Sequence, residues 1–258
     1  MRIATFNVND VNKRLPNLLA WLRKRKPDVV CLQELKTADA GFPQRALEKA
    51  GYSAVWKGER TWNGVAILAR GMQPIVTRTE LPGDPQDTQS RYIEAAVHGI
   101  LVGCIYLPNG NPQPGPKFDY KLKWFKRLTE HGKALLENAC RLSLPEISTS
   151  RRRNETSTPQ NPGTRTPSCQ PESRAAYKKL IGQGWTDALR HLHPDETVYT
   201  FWHYMRQRWK RDAGLRLDHL LLSPSLTPQL LSATVDKAVR GEPNASDHAP
   251  VWIELRKR

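Results

Sequence analysis

Five short polar clusters stand where apolar runs end: Thr5-Phe6-Asn7-Val8-Asn9, Leu32-Gln33-Glu34, Tyr106-Leu107-Pro108-Asn109-Gly110, Arg216-Leu217-Asp218-His219 and Ser246-Asp247-His248-Ala249-Pro250. Strand ends are where α/β proteins place their working residues. The types present suit hydrolysis of a phosphodiester, which needs a hard cation to neutralise phosphoryl oxygens. Mg²⁺ takes a few carboxylate and amide oxygens and keeps several waters. Asn7, Glu34 and Asp247 suit that role. Glu34 follows the apolar run at 29–32 and so caps a buried strand, although an ordinary exposed carboxylate is the plainer reading. Asn7 is also a common strand-terminating turn residue. His248 has the side chain best fitted to exchange a proton with a reacting phosphate near neutral pH. Tyr106 ends a second apolar run, where its phenol is either a phosphate donor or a half-buried core aromatic. Asp218 either serves the site or forms a strand-edge ion pair with Arg216, and Pro108-Asn109-Gly110 is a rigid turn that would hold Asn109 at the site.

A sixth stretch points to a partner rather than to chemistry. Residues 199–211 interleave Tyr199, Phe201, Trp202, Tyr204 and Trp209 with Arg206, Arg208, Lys210 and Arg211, a mixture suited to stacking and phosphate contact. The alternative is that these aromatics pack beneath the loop. The formal net charge of +15 and pI near 9.9 also favour a polyanionic partner, because cations that neutralise phosphates release condensed counterions. Mean hydropathy is −0.62, and no apolar run approaches the ~20 residues of a membrane span, so no membrane partner is expected. The four cysteines form no Cys-x-x-Cys pair, and Cys31 and Cys104 lie in apolar strands, which speaks against a zinc site or disulfide framework. The amino-terminal residues enter a strand-like pattern at once, and we expect a cytoplasmic monomer.

The elements that must position these residues follow from periodicity. Strands are expected at 2–7 and 28–33 around a helix at 14–24, whose Leu15, Leu18, Leu19 and Leu22 recur at helical spacing. Further strands are expected at 52–56, 65–69, 92–97 and 99–106, then a helix at 120–137. A helix at 174–180 and strands at 217–222, 230–235 and 249–255 close the chain. Between them, residues 140–169 show no apolar periodicity and are rich in Ser, Thr, Pro and Arg. That segment reads as a disordered basic insert in an otherwise single domain over 1–258. Its five Arg and two Glu leave most of the positive charge elsewhere.

Together, and in this order, the five clusters resemble the exonuclease III family of abasic-site endonucleases, within the endonuclease/exonuclease/phosphatase superfamily. The likeness covers nearly the whole chain outside 140–169. It implies a four-layer α/β sandwich, two mixed sheets packed face to face with helices outside. It implies Mg²⁺-dependent cleavage of DNA 5′ to abasic sites with 3′ exonuclease activity, with Mn²⁺ as an alternative metal and double-stranded DNA with abasic sites or 3′ ends as partner. By that resemblance Tyr106, Asp218 and His248 are catalytic, Asp218 orienting His248, and Asn7, Glu34, Asp247 and His248 form the metal and phosphate site. Arg91, Asn109, Trp202, Arg206 and Arg208 contact DNA, with Trp202 lining the pocket for the base-less sugar. His203 stands where many relatives carry Asp.

One family motif is missing. A Gly-Asp-x-Asn at a strand end supplies the family's general acid or base and a transition-state stabiliser, and this chain has none. Glu146, Asn154 and Glu155 are the only candidates, and they lack the spacing. The genetic code offers a reason. Residues 145–150 can be encoded CCG GAG ATT TCA ACG TCG, and the same bases read with one preceding G give Ala-Gly-Asp-Phe-Asn-Val. We therefore expect two compensating single-base shifts, near 139–140 and near 169, from sequencing error or mutation. Two other readings stay open: a catalytically inactive DNA-binding remnant, and a relative acting on phospholipid or inositol phosphate headgroups, which the basic aromatic loop disfavours.

Overall fold

In the computed structural model the described residues are 1–138, 142–145, 167 and 170–256. Strands β1 (Arg2–Asn7) and β2 (Val29–Gln33) are parallel and joined through α1 (Leu15–Arg25). After α2 (Gln44–Lys49) come β3 (Tyr52–Lys57), β4 (Val65–Arg70), β5 (Ile75–Arg78), β6 (Tyr92–Val97) and β7 (Ile100–Ile105), then the long helix α3 (Pro116–Glu137). The chain continues through β8 (Leu142–Pro145), α4 (Pro171–Ile181), β9 (Thr186–Asp187), α5 (Ala188–Leu192), β10 (Leu220–Leu222), β11 (Leu230–Val235) and β12 (Val251–Leu255). Two six-stranded sheets result, ordered β11-β12-β1-β2-β4-β3 and β5-β6-β7-β8-β10-β9. Each is mixed, its one parallel pair being β1·β2 in the first and β7·β8 in the second.

Two-residue alternation makes the layers. Ile3, Val29, Cys31 and Ile67 of the first sheet meet Ile93, Val102, Cys104 and Leu222 of the second in a seam between the sheets. The intervening residues Ala4, Phe6, Val30 and Leu32 face outward against Leu18, Trp21 and Leu22 of α1. On the other outer face Tyr92, Ile105 and Leu221 pack under Trp124, Phe125 and Leu128 of α3 and Leu180 of α4. This is the expected helix–sheet–sheet–helix sandwich.

The differences from expectation have local causes. The long helix starts at Pro116, because proline's fixed φ suits the first helical turn. Expected strand 217–222 shrinks to Leu220–Leu222, because the amides of Leu217 and Asp218 donate to Thr200 Oγ1 instead of to a ladder. A correction falls at 142–145, read above as part of an insert: its backbone forms β8, parallel to β7 and antiparallel to β10. Glu146 thus directly follows a strand. Glu146, Asn154 and Glu155, and with them most of the stretch expected to be frame-shifted, lie outside the described residues.

Candidate active site

The polar clusters converge at one end of the seam between the sheets. Asn7 pairs in register with Gln33, so the residues just past β1 and β2 are neighbours. Asn7 Nδ2 donates to Glu34 Oε1 (2.8 Å), and Tyr106, one residue past β7 in the other sheet, donates its phenolic proton to the same oxygen (3.0 Å). One carboxylate is thereby held from both sheets. Lys36 sits 2.9 Å from Glu34 Oε2 and also donates to Asn9 Oδ1. Asn9 in turn donates to Asp247 Oδ1 (2.9 Å), which ties β1 to the segment before β12. Burial disfavours ionised Glu34, but Lys36, His248 and Asn7 outweigh it and hold its pKa below the usual carboxylate range.

Backbone conformation marks the same place. Asn9, Asp10, Glu34 and Lys36 all have positive φ, at 47°, 89°, 54° and 51°. Asn and Asp tolerate that region, whereas Glu and Lys enter it at a cost of order 1–3 kcal/mol each. The turns are kept because neighbouring backbone bonds fix them: Asp10 N to Glu34 O (2.8 Å), Val11 N to Leu35 O (3.1 Å) and Lys36 N to Asn63 O (2.9 Å).

The second half of the site is an imidazole–carboxylate pair. His248 Nδ1 lies 3.0 and 2.9 Å from the two oxygens of Asp218, and both residues are buried, Asp218 completely. An ionised carboxylate only accepts, so Nδ1 carries the proton and Nε2 is left for a ligand. Burial pulls the His248 pKa down, yet Asp218, Asp247 and Glu34 raise it to about 9. The competing assignment for Asp218 is settled by distance: Arg216 pairs with Asp187 (2.6 Å), not with Asp218. Ser246 fixes the approach to His248, donating to Asn7 O (2.7 Å) and accepting from the His248 amide (3.2 Å).

Of the residues expected to touch DNA, Arg91 lies with its guanidinium 4.9 Å from the centre of the Tyr106 ring and donates to the Tyr106 carbonyl (3.3 Å). Asn109 and Arg206 are exposed, and Arg208 is partly exposed on the same loop as Arg206. Trp202 is a correction. It is only 1% exposed, its indole N–H donates to Asp212 (2.9 Å), its ring meets Trp209 edge-on at 5.1 Å, and its carbonyl accepts two bonds from Arg240. It forms the base of the loop instead of a contact surface. Phe201, the preceding residue, lies with its ring centre 4.8 Å from that of His248.

Several features of the site escaped the sequence reading: Lys36, the bridging role of Asn9, the packing of Phe201 against His248 and the anchoring role of Thr200. Another is Trp62, whose ring is 71% exposed and 5.5 Å from Lys36 Nζ. Its loop is clasped by Glu59, which accepts from Asn63 Nδ2 (2.5 Å) and Ser90 N (2.7 Å). Tyr204 closes the far side, its hydroxyl accepting from Arg14 (3.0 Å) and donating to Ala245 O (2.8 Å). The signal for Lys36 was its place two residues after Glu34; nothing in the sequence separates the exposed Trp62 from the buried Trp202.

The fold and this seam-end cluster define a class of two-sheet α/β sandwich proteins with an acid–amide–histidine site between the sheets. A model of the Endonuclease/Exonuclease/phosphatase family matches residues 4–144. The chain is 31% identical to exodeoxyribonuclease III of Haemophilus influenzae, over 99% of this chain and all of that one. It superposes with a TM-score of 0.93 and 36% identity, over the full length of both chains, on a 3′ phosphatase from Neisseria bound to product DNA hairpin. An AP endonuclease from Archaeoglobus fulgidus gives 0.91 and 31%, over 99% of each. The chain belongs to the Endonuclease/Exonuclease/phosphatase family, on its exonuclease III-type abasic endonuclease branch.

Proposed function

We propose that this protein is a Mg²⁺-dependent DNA repair nuclease that cleaves the phosphodiester 5′ to abasic sites and removes nucleotides from 3′ ends. The observation that carries the reading is the single carboxylate of Glu34, bonded by donors from both sheets, held anionic by Lys36, His248 and Asn7, and facing the His248–Asp218 pair. The donor set fits a hard cation that keeps its waters: one carboxylate, the amide side chains of Asn7 and Asn9, and Asp247 beside them. Among the described residues no three His, Cys, Asp or Glu gather to hold a metal, so the amides are part of the fit. Such an ion, when bound, would neutralise phosphoryl charge.

The chain's own residues do the rest. His248, protonated near neutral pH, offers its Nε2 proton to a phosphoryl oxygen, while Asp218 fixes the ring. Tyr106 presents a phenol beside Glu34, with Arg91 over its face to hold phosphate charge. Phe201 gives the ring of His248 an apolar wall. Arg206, Arg208 and the exposed indole of Trp62 supply phosphate and stacking contacts with DNA.

A second reading is favoured by one specific observation. Strand β8 runs directly into Glu146 where the family's Gly-Asp-x-Asn would begin, so the chain as written lacks that Asp and Asn. It would then be a DNA-binding remnant. Incubating a duplex bearing one abasic site with the protein, with Mg²⁺ or with EDTA, separates the two. Metal-dependent incision 5′ to the lesion is the outcome expected of the nuclease; tight binding without incision is that of the remnant. A chain restored to Gly-Asp-Phe-Asn at the shifted positions that still fails to cut would overturn the nuclease assignment.

A further inference from the structure

Adjoining Asp218, a second buried polar cluster takes no part in the chemistry above. Asp187, at the end of β9, accepts at one oxygen, Oδ2, from Arg216 Nη1 (2.6 Å) and Tyr177 OH (2.7 Å); His219 Nδ1 lies 3.0 Å from the same oxygen and 3.1 Å from both Arg216 Nη1 and Tyr177 OH. Its other oxygen accepts from the Arg190 amide (3.2 Å) and caps α5. Asp187 and His219 are buried, and the Arg216 side chain is 15% exposed. Burial works against ionisation of Asp187, but Arg216 and His219 hold its pKa far below the carboxylate range.

Stability alone is a weak reason for such a cluster. Buried ion pairs are often no better than an apolar packing of the same volume, because desolvation offsets attraction. Position supplies another reason. Arg216 is two residues from Asp218, and both belong to the stretch just before β10, where Thr200 Oγ1 pins the amides of Leu217 and Asp218. A guanidinium so placed, deprived of Asp187, would be a poorly compensated charge two residues along the chain from the carboxylate that holds His248. A carboxylate drawn to the guanidinium leaves the imidazole unoriented.

We propose that Asp187 is a positioning residue for the nuclease: by engaging Arg216 it keeps Asp218 for His248. The proposal rests on the function proposed above. It differs from a purely structural ion pair in what the second partner does. If Asp187 serves only to hold Arg216 away, removing Arg216 is harmless and repairs the loss of Asp187. If the pair is a strut, removing either half, or both, does similar damage.

The test uses the full-length protein and three variants, Asp187→Asn, Arg216→Met and the double variant, each checked for folding by thermal unfolding. On the abasic duplex with Mg²⁺, Asp187→Asn is expected to lower kcat by roughly 10- to 100-fold with KM unchanged, the scale of a small misplacement of a catalytic group. Arg216→Met is expected to stay within about threefold of wild type, and the double variant to recover to a similar level. A readout that needs no turnover accompanies this: the Nδ1–H resonance of His248, assigned by its loss in His248→Gln, should vanish or move in Asp187→Asn and return in the double variant. Persistence of that resonance in Asp187→Asn, or a double variant as impaired as the single, overturns the proposal. Should Asp187→Asn not fold, folded Arg216→Met decides alone, since a loss of kcat beyond tenfold there overturns it. Wild-type protein that does not cut would remove the nuclease reading, and the resonance would still decide whether Asp187 governs the Asp218–His248 pair.

Discussion

The two halves of the site are built in opposite ways. The half around Glu34 is made of turns: four residues at or just past strand ends with positive φ, a carboxylate whose side chain is 18% exposed, and a lysine, an amide and a phenol reaching it from separate segments. The half around His248 is enclosed. Asp218 has no exposure, and the flanking chain is pinned by Thr200, Ser246 and bonds such as Ala249 N to Thr200 O (2.8 Å) and Trp202 N to Asp247 O (2.8 Å). A carboxylate that keeps some solvent access suits a ligand that comes and goes, whereas a buried imidazole–carboxylate pair suits a group whose orientation must not change. Under the proposed function, exchangeable cation binding would fall to the first half and fixed proton chemistry to the second.

The largest effect should come from the enclosed half. His248→Gln is expected to lower kcat by about 10³-fold or more, with KM for the duplex and the metal dependence little changed. The open half should respond differently. Glu34→Gln is expected to reduce kcat by roughly 10²-fold at a given Mg²⁺ concentration and to move the metal titration midpoint upward by at least about tenfold. Identical metal dependence in the two variants would break the division between the halves.

A third effect concerns stability. The His248 pKa is raised from 6.5 to about 9 in the folded protein. The folded state therefore binds the proton more tightly, so the stabilisation is fully present below pH 6.5 and is lost as pH climbs through about 9. That loss amounts to at most about 3 kcal/mol. Urea unfolding of the metal-free protein at pH 6 and pH 9.5 measures it, and Asp218→Asn should flatten the difference. The smallest effect is at the rim: Trp62→Ala should weaken duplex binding by about 1–2 kcal/mol without changing kcat, because the indole is exposed and outside the hydrogen-bonded core. Trp202→Phe should instead lower the unfolding temperature, its indole N–H being bonded to Asp212.

Much of this was legible from residue order. Asn7, Glu34 and Tyr106 follow apolar runs while Asp218 and His248 precede them, and these run ends fall on one edge of the seam. Leu15, Leu18, Leu19 and Leu22 disclosed α1 for the same reason, since periodicity records which face is buried. What depends on tertiary pairing was not legible. Strand β8 carries only Leu142 and Leu144 as apolar residues, and its strand state comes from pairing with β7 and β10, which overrides weak local preference. Lys36 and Asn9 act through left-handed turns that no composition announces. Trp62 and Trp202 are alike as residues, and only the packing of Asp212, Trp209 and Arg240 around one of them separates an exposed ring from a buried one.

The most direct test of the account is incision of a duplex containing a single abasic site by the full-length chain across a Mg²⁺ titration. The site described here predicts cutting 5′ to the lesion that appears with metal, disappears with EDTA and is abolished in His248→Gln. Binding with no incision at any Mg²⁺ concentration would contradict it.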